Sequence, residues 1–226
     1  MAGNLKENLN SILEKLTLEK SKNSQLVDPV VIAVSKKQSV EKIKSLNELG
    51  HNVFAENYWQ EAEEKIKALI DLNIEWHFIG ALQSKKIKEI VGNVELIHSV
   101  SRLVELEKIS AIAKEKKIEQ KILIQLNIAN EESKSGVPVD EIKEFCQQAE
   151  NFAHIKVCGL MVFPPLEDSE EKAIHWFQTA KTLFEELKQN HKEWDTLSMG
   201  TSSDYHLAYR CGATHLRVGE SLMGSR

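Results

Sequence analysis

Short apolar segments alternate with helical patterns along almost the whole chain of 226 residues. An apolar run of roughly four to eight residues is typical of a buried strand, and apolar residues at every third or fourth position are typical of a helix. Strands that alternate with helices form a parallel sheet, because parallel neighbours need a long connection. The predicted strands lie at 30–34, 52–55, 76–79, 95–98, 121–127, 156–161, 195–199 and 214–218.

One predicted helix precedes the first strand, at 4–20, and seven more lie between the strands. Eight strand–helix units in a little over about 200 residues fit an α/β fold of the (β/α)8 TIM barrel type, near its minimum size. The intervening helices are predicted at about 39–49, 58–71, 83–91, 101–116, 139–152, 169–190 and 203–211.

The last predicted strand is followed by residues 219–226 only, which are too few for the usual eighth helix. We therefore expect the N-terminal segment, 1–27, to cover the seam between the last strand and the first. We expect a single domain over 1–226, without a C-terminal β-domain. The alternative is an open doubly wound sheet, which typically carries GxGxxG after its first strand, whereas this first strand runs into "VSKKQS".

The composition excludes several classes of protein. A net charge of −5 disfavours nonspecific nucleic-acid binding. No apolar run reaches the roughly 18 residues of a membrane span, and the start, MAGNLKENLN, does not resemble a signal peptide. Cys146, Cys158 and Cys211 form no CxxC pair, so we expect reduced thiols in a cytoplasmic protein.

The loops after the last two strands predict a phosphate site. In parallel barrels these loops commonly bind phosphate, and free N–H groups at helix starts favour anions. Gly200, Thr201 and Ser202 lie in the first loop, and Gly219 opens a second tight turn before a short helix. The alternative is that Ser202, Ser203 and Asp204 only cap the helix at 203–211. We favour phosphate, because two such turns lie in neighbouring loops.

Two basic residues stand at strand ends. Lys36 ends the first strand; alone it would be an ordinary solvated lysine, but in a barrel mouth partial desolvation can leave its amine neutral and able to attack an aldehyde. Arg217 alternates with Leu216 and Val218, so it points either into the barrel with His215 or outward onto a helix.

Three histidines near strand ends raise the possibility of a metal site. His77, His98 and His215 have this placement, but the chain contains no His-x-His and no HExxH motif. Isolated histidines near a barrel wall are more often hydrogen-bonding core residues. We therefore expect no metal.

Six segments at the predicted strand ends together resemble the pyridoxal phosphate homeostasis protein family, the YggS/PROSC-type group of alanine racemase-like barrels. The resemblance runs from about residue 30 to the C-terminus, in the right order. The segments are Ser35-Lys36, "ENYWQE", "WHFIGALQ", "GLM", "LSMGTSSD" and "LRVGESLMG".

The resemblance implies a barrel that holds pyridoxal 5'-phosphate (PLP) as a Schiff base on Lys36. It implies that Arg217 faces the pyridine nitrogen and that Asn57 lies near the ring, in a role that the resemblance does not fix. The phosphate would be held by two loops, one with Gly200, Thr201 and Ser202 and the other with Gly219 and Glu220.

Two functions remain open at this point. The resemblance favours a protein of intracellular PLP homeostasis, a carrier or buffer with apo-PLP enzymes as recipients and without established turnover. The alternative is a PLP-dependent amino-acid racemase or lyase of low activity. We favour the first, because the chain ends at Arg226 without the β-domain of racemases, and because an arginine at the ring nitrogen weakens the ring as an electron sink. We expect a monomer.

Overall fold

The computed structural model describes residues 2–131, 135–165, 167 and 169–225, with the side chains from residue 4 onward. Within these residues, eight parallel strands close into a barrel in the order β1-β2-β3-β4-β5-β7-β8-β9, and β9 pairs with β1. The prediction of a TIM barrel is confirmed. The barrel strands are β1 (Val30–Val34), β2 (Val53–Glu56), β3 (Glu75–Phe78), β4 (Leu96–Val100), β5 (Gln120–Asn127), β7 (Ile155–Val162), β8 (Thr196–Ser198) and β9 (His215–Val218).

A helix lies between each pair of consecutive barrel strands, as the sequence predicts. The helices are α1 (Ala2–Lys22), α2 (Val40–Glu48), α3 (Trp59–Ala68), α4 (Ile87–Ile90), α5 (Leu103–Lys116), α6 (Ile142–Ala149), α7 (Glu170–Lys188), α8 (Tyr205–Arg210) and α9 (Glu220–Met223). None of the described helices is long and apolar enough to cross a membrane.

Two details differ from the predicted elements. Helix α4 is a single turn rather than the predicted 83–91, because residues 83–86 form a hydrogen-bonded turn that closes from the Lys86 N–H to the Gln83 carbonyl. A short strand, β6 (Val137–Pro138), pairs with the end of β5 outside the barrel, where the sequence predicts a loop.

Helix α1 covers the seam between β9 and β1, as expected. It packs against α2, α8 and α9. The Asn8 side-chain amide donates to the Leu222 carbonyl at 3.0 Å, and Arg210 of α8 makes a two-pronged ion pair with Glu19 at 2.8 and 2.9 Å. This ion pair lowers the pKa of Glu19 to about 2. Helix α1, which precedes β1, therefore covers this part of the barrel wall together with the short helix α9.

The strands divide two unlike interiors. Alternate residues such as Val31 and Ala33 belong to a large apolar layer between the strands and the helices. Inside the barrel the apolar part is small, and polar side chains fill much of the remaining space. The buried apolar residues of this inner cluster are Leu96, Leu123, Cys158 and Met161.

The three cysteines are free thiols. Burial raises the pKa of Cys158 and of Cys211 to about 11, and that of Cys146 to about 12. Thiols with such pKa values stay protonated near neutral pH and are poor nucleophiles.

Candidate functional site

Lys36 lies in a tight turn at the carboxyl end of β1. It follows Ile32 and Val34 by the strand's two-residue alternation, opposite to the side that packs on the helices, and it is half-buried. The next residue, Lys37, has a left-handed backbone (φ 60°), which ordinary residues adopt rarely. The Gln38 N–H closes the turn onto the Ser35 carbonyl at 3.0 Å. The backbone conformation on both sides of Lys36 is thus fixed by a hydrogen-bonded turn.

A buried ionic group, which we call the Lys65 cluster, holds this turn from outside the barrel. It consists of Ser35, Glu56, Glu61 and Lys65. The Lys65 ammonium donates to Glu56 at 2.7 Å, to Glu61 at 2.6 Å and to the Ser35 carbonyl at 2.6 Å. The Ser35 hydroxyl donates to Glu56 at 2.6 Å, and the Lys37 N–H donates to Glu61. Two residues that flank Lys36 are therefore tied to this cluster.

The Glu56 side chain is almost completely enclosed, and burial is the dominant influence on its pKa. Burial raises the pKa of Glu56, while the hydrogen bonds from Lys65 and Ser35 act in the opposite direction. One carboxylate oxygen, Oε2, has no hydrogen-bond partner among the described residues.

The two predicted phosphate loops meet at Ser202. Its hydroxyl oxygen accepts hydrogen bonds from the Gly219 N–H at 3.0 Å and from the Ser221 N–H at 3.3 Å. In return the Ser221 hydroxyl donates to the Ser202 carbonyl at 2.9 Å. Two backbone N–H groups of the second loop therefore converge on one oxygen of the first, which is the kind of donor pair that binds an anionic oxygen.

The first of these loops owes its shape to Gly200 and Asp204. Gly200 has φ +84°, and a Cβ there would lie 2.5 Å from the Ala208 Cβ, so the loop can pack on α8 only with glycine. Asp204 accepts from the N–H and the hydroxyl of Thr201, at 2.6 and 3.0 Å. The alternative in which Ser202 serves only to cap the helix is wrong, because its hydroxyl turns to the neighbouring loop.

Gly219 lies directly between β9 and α9. Its φ of −100° is open to any residue, but a Cβ there would lie 3.8 Å from the Ser202 hydroxyl oxygen and 3.6 Å from the Val34 Cβ. A larger side chain would therefore project into the space between Ser202 and β1. Glu220, the first residue of α9, is exposed.

Arg217 points into the barrel, so the alternative of an outward arginine is wrong. Only 4% of its surface is exposed. Its guanidinium donates to the Ser198 hydroxyl at 2.8 Å and to the Val162 carbonyl at 3.0 Å, and it lies 5.7 Å from the ring centre of Phe163. Burial lowers the pKa of Arg217 to about 10, which leaves the guanidinium charged at neutral pH.

Asn57 follows β2 at the same end of the barrel. Its side-chain oxygen, Oδ1, is buried without a hydrogen-bond partner among the described residues. Its backbone is fixed by Gly80, at which a Cβ would lie 1.8 Å from the Asn57 carbonyl oxygen. An unpaired buried acceptor is costly, so this oxygen is suited to receive a donor from a ligand.

The histidines do not form a metal site. Across the described residues, no three His, Cys, Asp or Glu side chains are placed to share a metal ion. His77 and His98 instead hydrogen-bond to each other at 3.0 Å, and His98 contacts the Ser198 hydroxyl at 3.1 Å. The sequence does not predict that His98 and Arg217 share Ser198 as a hydrogen-bond partner, although all of these residues lie on strands.

Cavity size does not mark the site. A cavity of about 620 Å³ lies at the opposite end of the barrel, between α7 and the connection from α1 to β1. By contrast, Lys36, Ser202 and Arg217 follow or end the adjacent strands β1, β8 and β9. The structure thus places an amine, two hydrogen-bonded loops and a guanidinium at the carboxyl ends of neighbouring strands, with Asn57 after β2.

Comparison with known sequences gives a consistent result. Residues 3–226 match the family model described as alanine racemase, N-terminal domain. The chain is 35% identical over 228 residues to the pyridoxal phosphate homeostasis protein of Haemophilus influenzae, covering 99% of this chain and 96% of that protein. It is 37% identical over 197 residues to the protein of the same name from Aquifex aeolicus, covering 87% of this chain and 86% of that protein.

Solved structures show the same similarity. PipY of Synechococcus elongatus with PLP bound superposes with a TM-score of 0.82 at 33% identity, covering 93% of this chain and 100% of that chain. The form without PLP gives 0.84 at 34% identity, with 93% and 99% covered. An alanine racemase from Clostridium difficile gives 0.77 at 17% identity, covering 97% of this chain and 56% of that chain, and supports the fold alone.

Proposed function

Because the chain belongs to the alanine racemase N-terminal domain family, and within it to the pyridoxal phosphate homeostasis proteins, we propose that its barrel mouth is the place where it holds PLP. The protein binds PLP and takes part in the homeostasis of that cofactor. The observation that carries the residue assignment is the convergence of the Gly219 and Ser221 N–H groups beside the turn that presents Lys36.

Each group at the mouth has a distinct part in this proposal. PLP supplies an aldehyde carbon that a neutral amine can attack with loss of water. Lys36 provides that amine, in a turn that the Lys65 cluster holds in place. Two loops bind the phosphate. The first contains Gly200, Thr201 and Ser202, and the second contributes the N–H groups of Gly219 and Glu220. Arg217 faces the ring nitrogen, and the unpaired Asn57 oxygen accepts from a donor on the cofactor.

Reduction with borohydride tests the role of Lys36. We expect the reagent to fix PLP to the peptide that contains Lys36, and we expect Lys36→Met to abolish the labelling. Lys37→Asn is the matched control, because it removes the neighbouring amine while asparagine tolerates the left-handed backbone. A label that survives Lys36→Met and disappears in Lys37→Asn would overturn the assignment.

Ser202→Ala tests the phosphate loops. It removes a hydroxyl that would donate to the phosphate and that orders the Gly219 and Ser221 N–H groups, and a hydrogen bond to a charged group is worth about 1.5–3 kcal/mol, or roughly 10- to 100-fold in Kd. The adjacent exposed Ser203→Ala is the control. Pyridoxal without phosphate should bind both proteins equally weakly. If pyridoxal and PLP lose the same factor in Ser202→Ala, the loops do not hold the phosphate.

A carrier or buffer role is the function that the groups at the mouth favour. The buried guanidinium of Arg217 disfavours a proton on the ring nitrogen and so weakens the ring as an electron sink, which racemases tolerate but aminotransferases generally do not. A racemase needs a second acid/base group besides the lysine, and tyrosines are candidates for it. Tyr205 and Tyr209 are buried in α8, and the Tyr209 hydroxyl donates to the Val27 carbonyl, away from the mouth. In deuterated water with L- or D-alanine, we expect only slow α-proton exchange that needs Lys36. Racemisation at about 1–10³ per second would establish the alternative, an amino-acid racemase.

The cellular setting belongs to the same proposal. Free thiols with raised pKa values suit a reducing compartment, so we propose a cytoplasmic location, with apo-PLP enzymes as recipients. We also propose a monomer; large exposed apolar side chains such as Leu18, Ile70 and Phe163 are spread over different segments of the chain. Light scattering of the protein, alone and mixed with an apo-enzyme, measures both the oligomeric state and any stable complex.

A further inference from the structure

A chain of hydrogen bonds crosses the inside of the barrel and ends at Arg217. The guanidinium donates to the Ser198 hydroxyl at 2.8 Å, and that hydroxyl lies 3.1 Å from Nδ1 of His98. Nε2 of His98 lies 3.0 Å from Nδ1 of His77, and Nε2 of His77 lies 2.9 Å from the Glu75 carboxylate. Four strands, β3, β4, β8 and β9, therefore contribute to one continuous chain.

The chain is enclosed except at one end. Ser198 and His98 are completely buried, His77 is 1% exposed and Arg217 is 4% exposed. The Glu75 side chain is 43% exposed. Glu75 begins β3 and so lies at the amino-terminal end of the barrel, opposite the mouth. The chain thus links a buried cation to a carboxylate that reaches water on the far side.

Counting donors and acceptors fixes the direction of every bond. A guanidinium only donates, so the Ser198 oxygen accepts from Arg217; among the described residues Nδ1 of His98 is the acceptor within hydrogen-bond distance of this hydroxyl, so the hydroxyl proton points to His98. Nδ1 of His98 must therefore accept, which places the ring proton on Nε2 and directs it to His77. The same reasoning gives His77 its proton on Nε2. A carboxylate only accepts, so the last bond runs from His77 to Glu75.

The electrostatic environment agrees with a neutral His98 ring. Burial, and then the nearby His77, His215 and Arg217, lower the pKa of His98 well below its ordinary value. His215 stacks on His77 with ring centres 6.2 Å apart, and burial lowers its pKa to about 4. The hydrogen bond from His77 lowers the pKa of Glu75, and Lys121 acts in the same direction.

We propose that Ser198, His98 and His77 are positioning residues that hold the Arg217 guanidinium toward the ring nitrogen of PLP and connect it to the Glu75 carboxylate. This inference rests on the proposed function, in which Arg217 faces that nitrogen. A hydrogen-bonded chain of oriented polar groups restricts the orientation of the Arg217 guanidinium more than the Val162 carbonyl alone would.

The first test uses the full-length protein without PLP. Nitrogen-15 NMR of the imidazoles reports which ring nitrogen carries the proton. We expect His77 and His98 to be neutral at pH 7, each with its proton on Nε2. A proton on Nδ1 of either ring, or an imidazolium, would overturn the chain regardless of whether the protein binds PLP.

The second test compares PLP with deaza-pyridoxal phosphate, in which a C–H group replaces the ring nitrogen. We expect the wild type to bind PLP the more tightly of the two and His98→Phe to lose roughly tenfold in affinity for PLP but little for the deaza analogue. His98→Asn keeps an acceptor near the position of Nδ1 and should recover most of the difference. Glu95→Gln, which removes an exposed carboxylate at the same end as Glu75, is the control.

The outcomes separate this inference from the proposed function. Equal losses for the two ligands in His98→Phe would mean that His98 acts only on stability, and the proposal would be wrong. Equal binding of the two ligands by the wild type would remove Arg217 from the ring nitrogen and the proposal with it. If the wild type binds neither ligand, the proposed function fails. If His98→Phe does not fold, the proposal is still tested by the two ligand affinities of His98→Asn and by the ring-proton positions in the wild type.

Discussion

Two buried polar groups support the mouth of the barrel, and they are built in opposite ways. The Lys65 cluster, outside the strands, joins an ammonium to two carboxylates within 2.7 Å. The chain inside the barrel keeps its two charges, on Arg217 and Glu75, apart and fills the space between them with neutral donors and acceptors. One holds the backbone beside Lys36 by direct ion pairing, and the other holds a side chain by directed hydrogen bonds.

The two groups should differ in how much stability is lost when one of their members is removed. A buried ion pair has a large desolvation cost, so the loss of one partner leaves an uncompensated charge. A chain of neutral groups loses only the hydrogen bonds of the missing member. The Lys65 cluster should therefore be the more fragile of the two, and variants can test this ranking.

Lys65→Met should have the largest effect on stability. It removes the cation from the almost fully enclosed Glu56, and breaking a buried pair typically costs about 3–5 kcal/mol. Urea denaturation measures the free energy of unfolding. Lys67→Met is a matched control on the same helix, because Lys67 pairs with Glu63 at the same spacing but is 73% exposed, and it should cost less than about 1 kcal/mol. Equal losses in the two variants would contradict the ranking.

Ser198→Ala should have an intermediate effect. It leaves a guanidinium N–H and Nδ1 of His98 without their shared partner, at a cost of about 1–3 kcal/mol in the free energy of unfolding. Ser110→Ala, at a half-buried serine whose hydrogen bond to the Ala153 carbonyl is exposed to solvent, is the control and should cost less than Ser198→Ala. A loss larger than that of Lys65→Met would reverse the comparison.

The smallest expected effect is on the pH dependence of the free energy of unfolding, to which Glu56 and Glu75 contribute with opposite signs. The pKa of Glu56 is raised by burial, so the folded state binds that proton more tightly than the unfolded state, and the contribution of Glu56 to stability falls as pH rises from 4.5. The pKa of Glu75 is lowered, mainly by the hydrogen bond from His77, so its contribution is present above 4.5 and lost as pH falls below it.

Urea denaturation of the wild type, Glu56→Gln and Glu75→Gln across this pH range measures both slopes. The stability of the wild type relative to Glu56→Gln should decrease with rising pH, and its stability relative to Glu75→Gln should increase. Two slopes of the same sign would show that the carboxylates do not differ as described.

Much of the fold could be predicted from the sequence because it depends on local patterns. The strand predicted at 30–34 has the observed bounds of β1, and the helix predicted at 101–116 differs from α5 by two residues at its start. The missed strand β6 has only two residues, too few to show an alternating pattern, and it forms only where β5 extends beyond the barrel.

The site was only partly predictable, because its supports are tertiary contacts. The pairs Glu61–Lys65 and Glu63–Lys67 share one spacing on one helix and are indistinguishable in the sequence, yet Lys65 is buried and Lys67 is exposed. The strand after α2 decides this, since it brings Glu56 against Lys65. The link from His98 to Ser198 likewise spans 100 residues, which no local pattern reports.

The close approach at Gly80 has a consequence for engineering. Because a Cβ at this position would overlap the Asn57 carbonyl oxygen at 1.8 Å, the loop after β2 and the loop after β3 share one backbone contact that only glycine permits. The two loops are thus a single cassette. A library that randomises one of them while diversifying position 80, or a chimera that imports one without the other, should yield few folded clones, whereas exchange of both loops together should preserve the mouth.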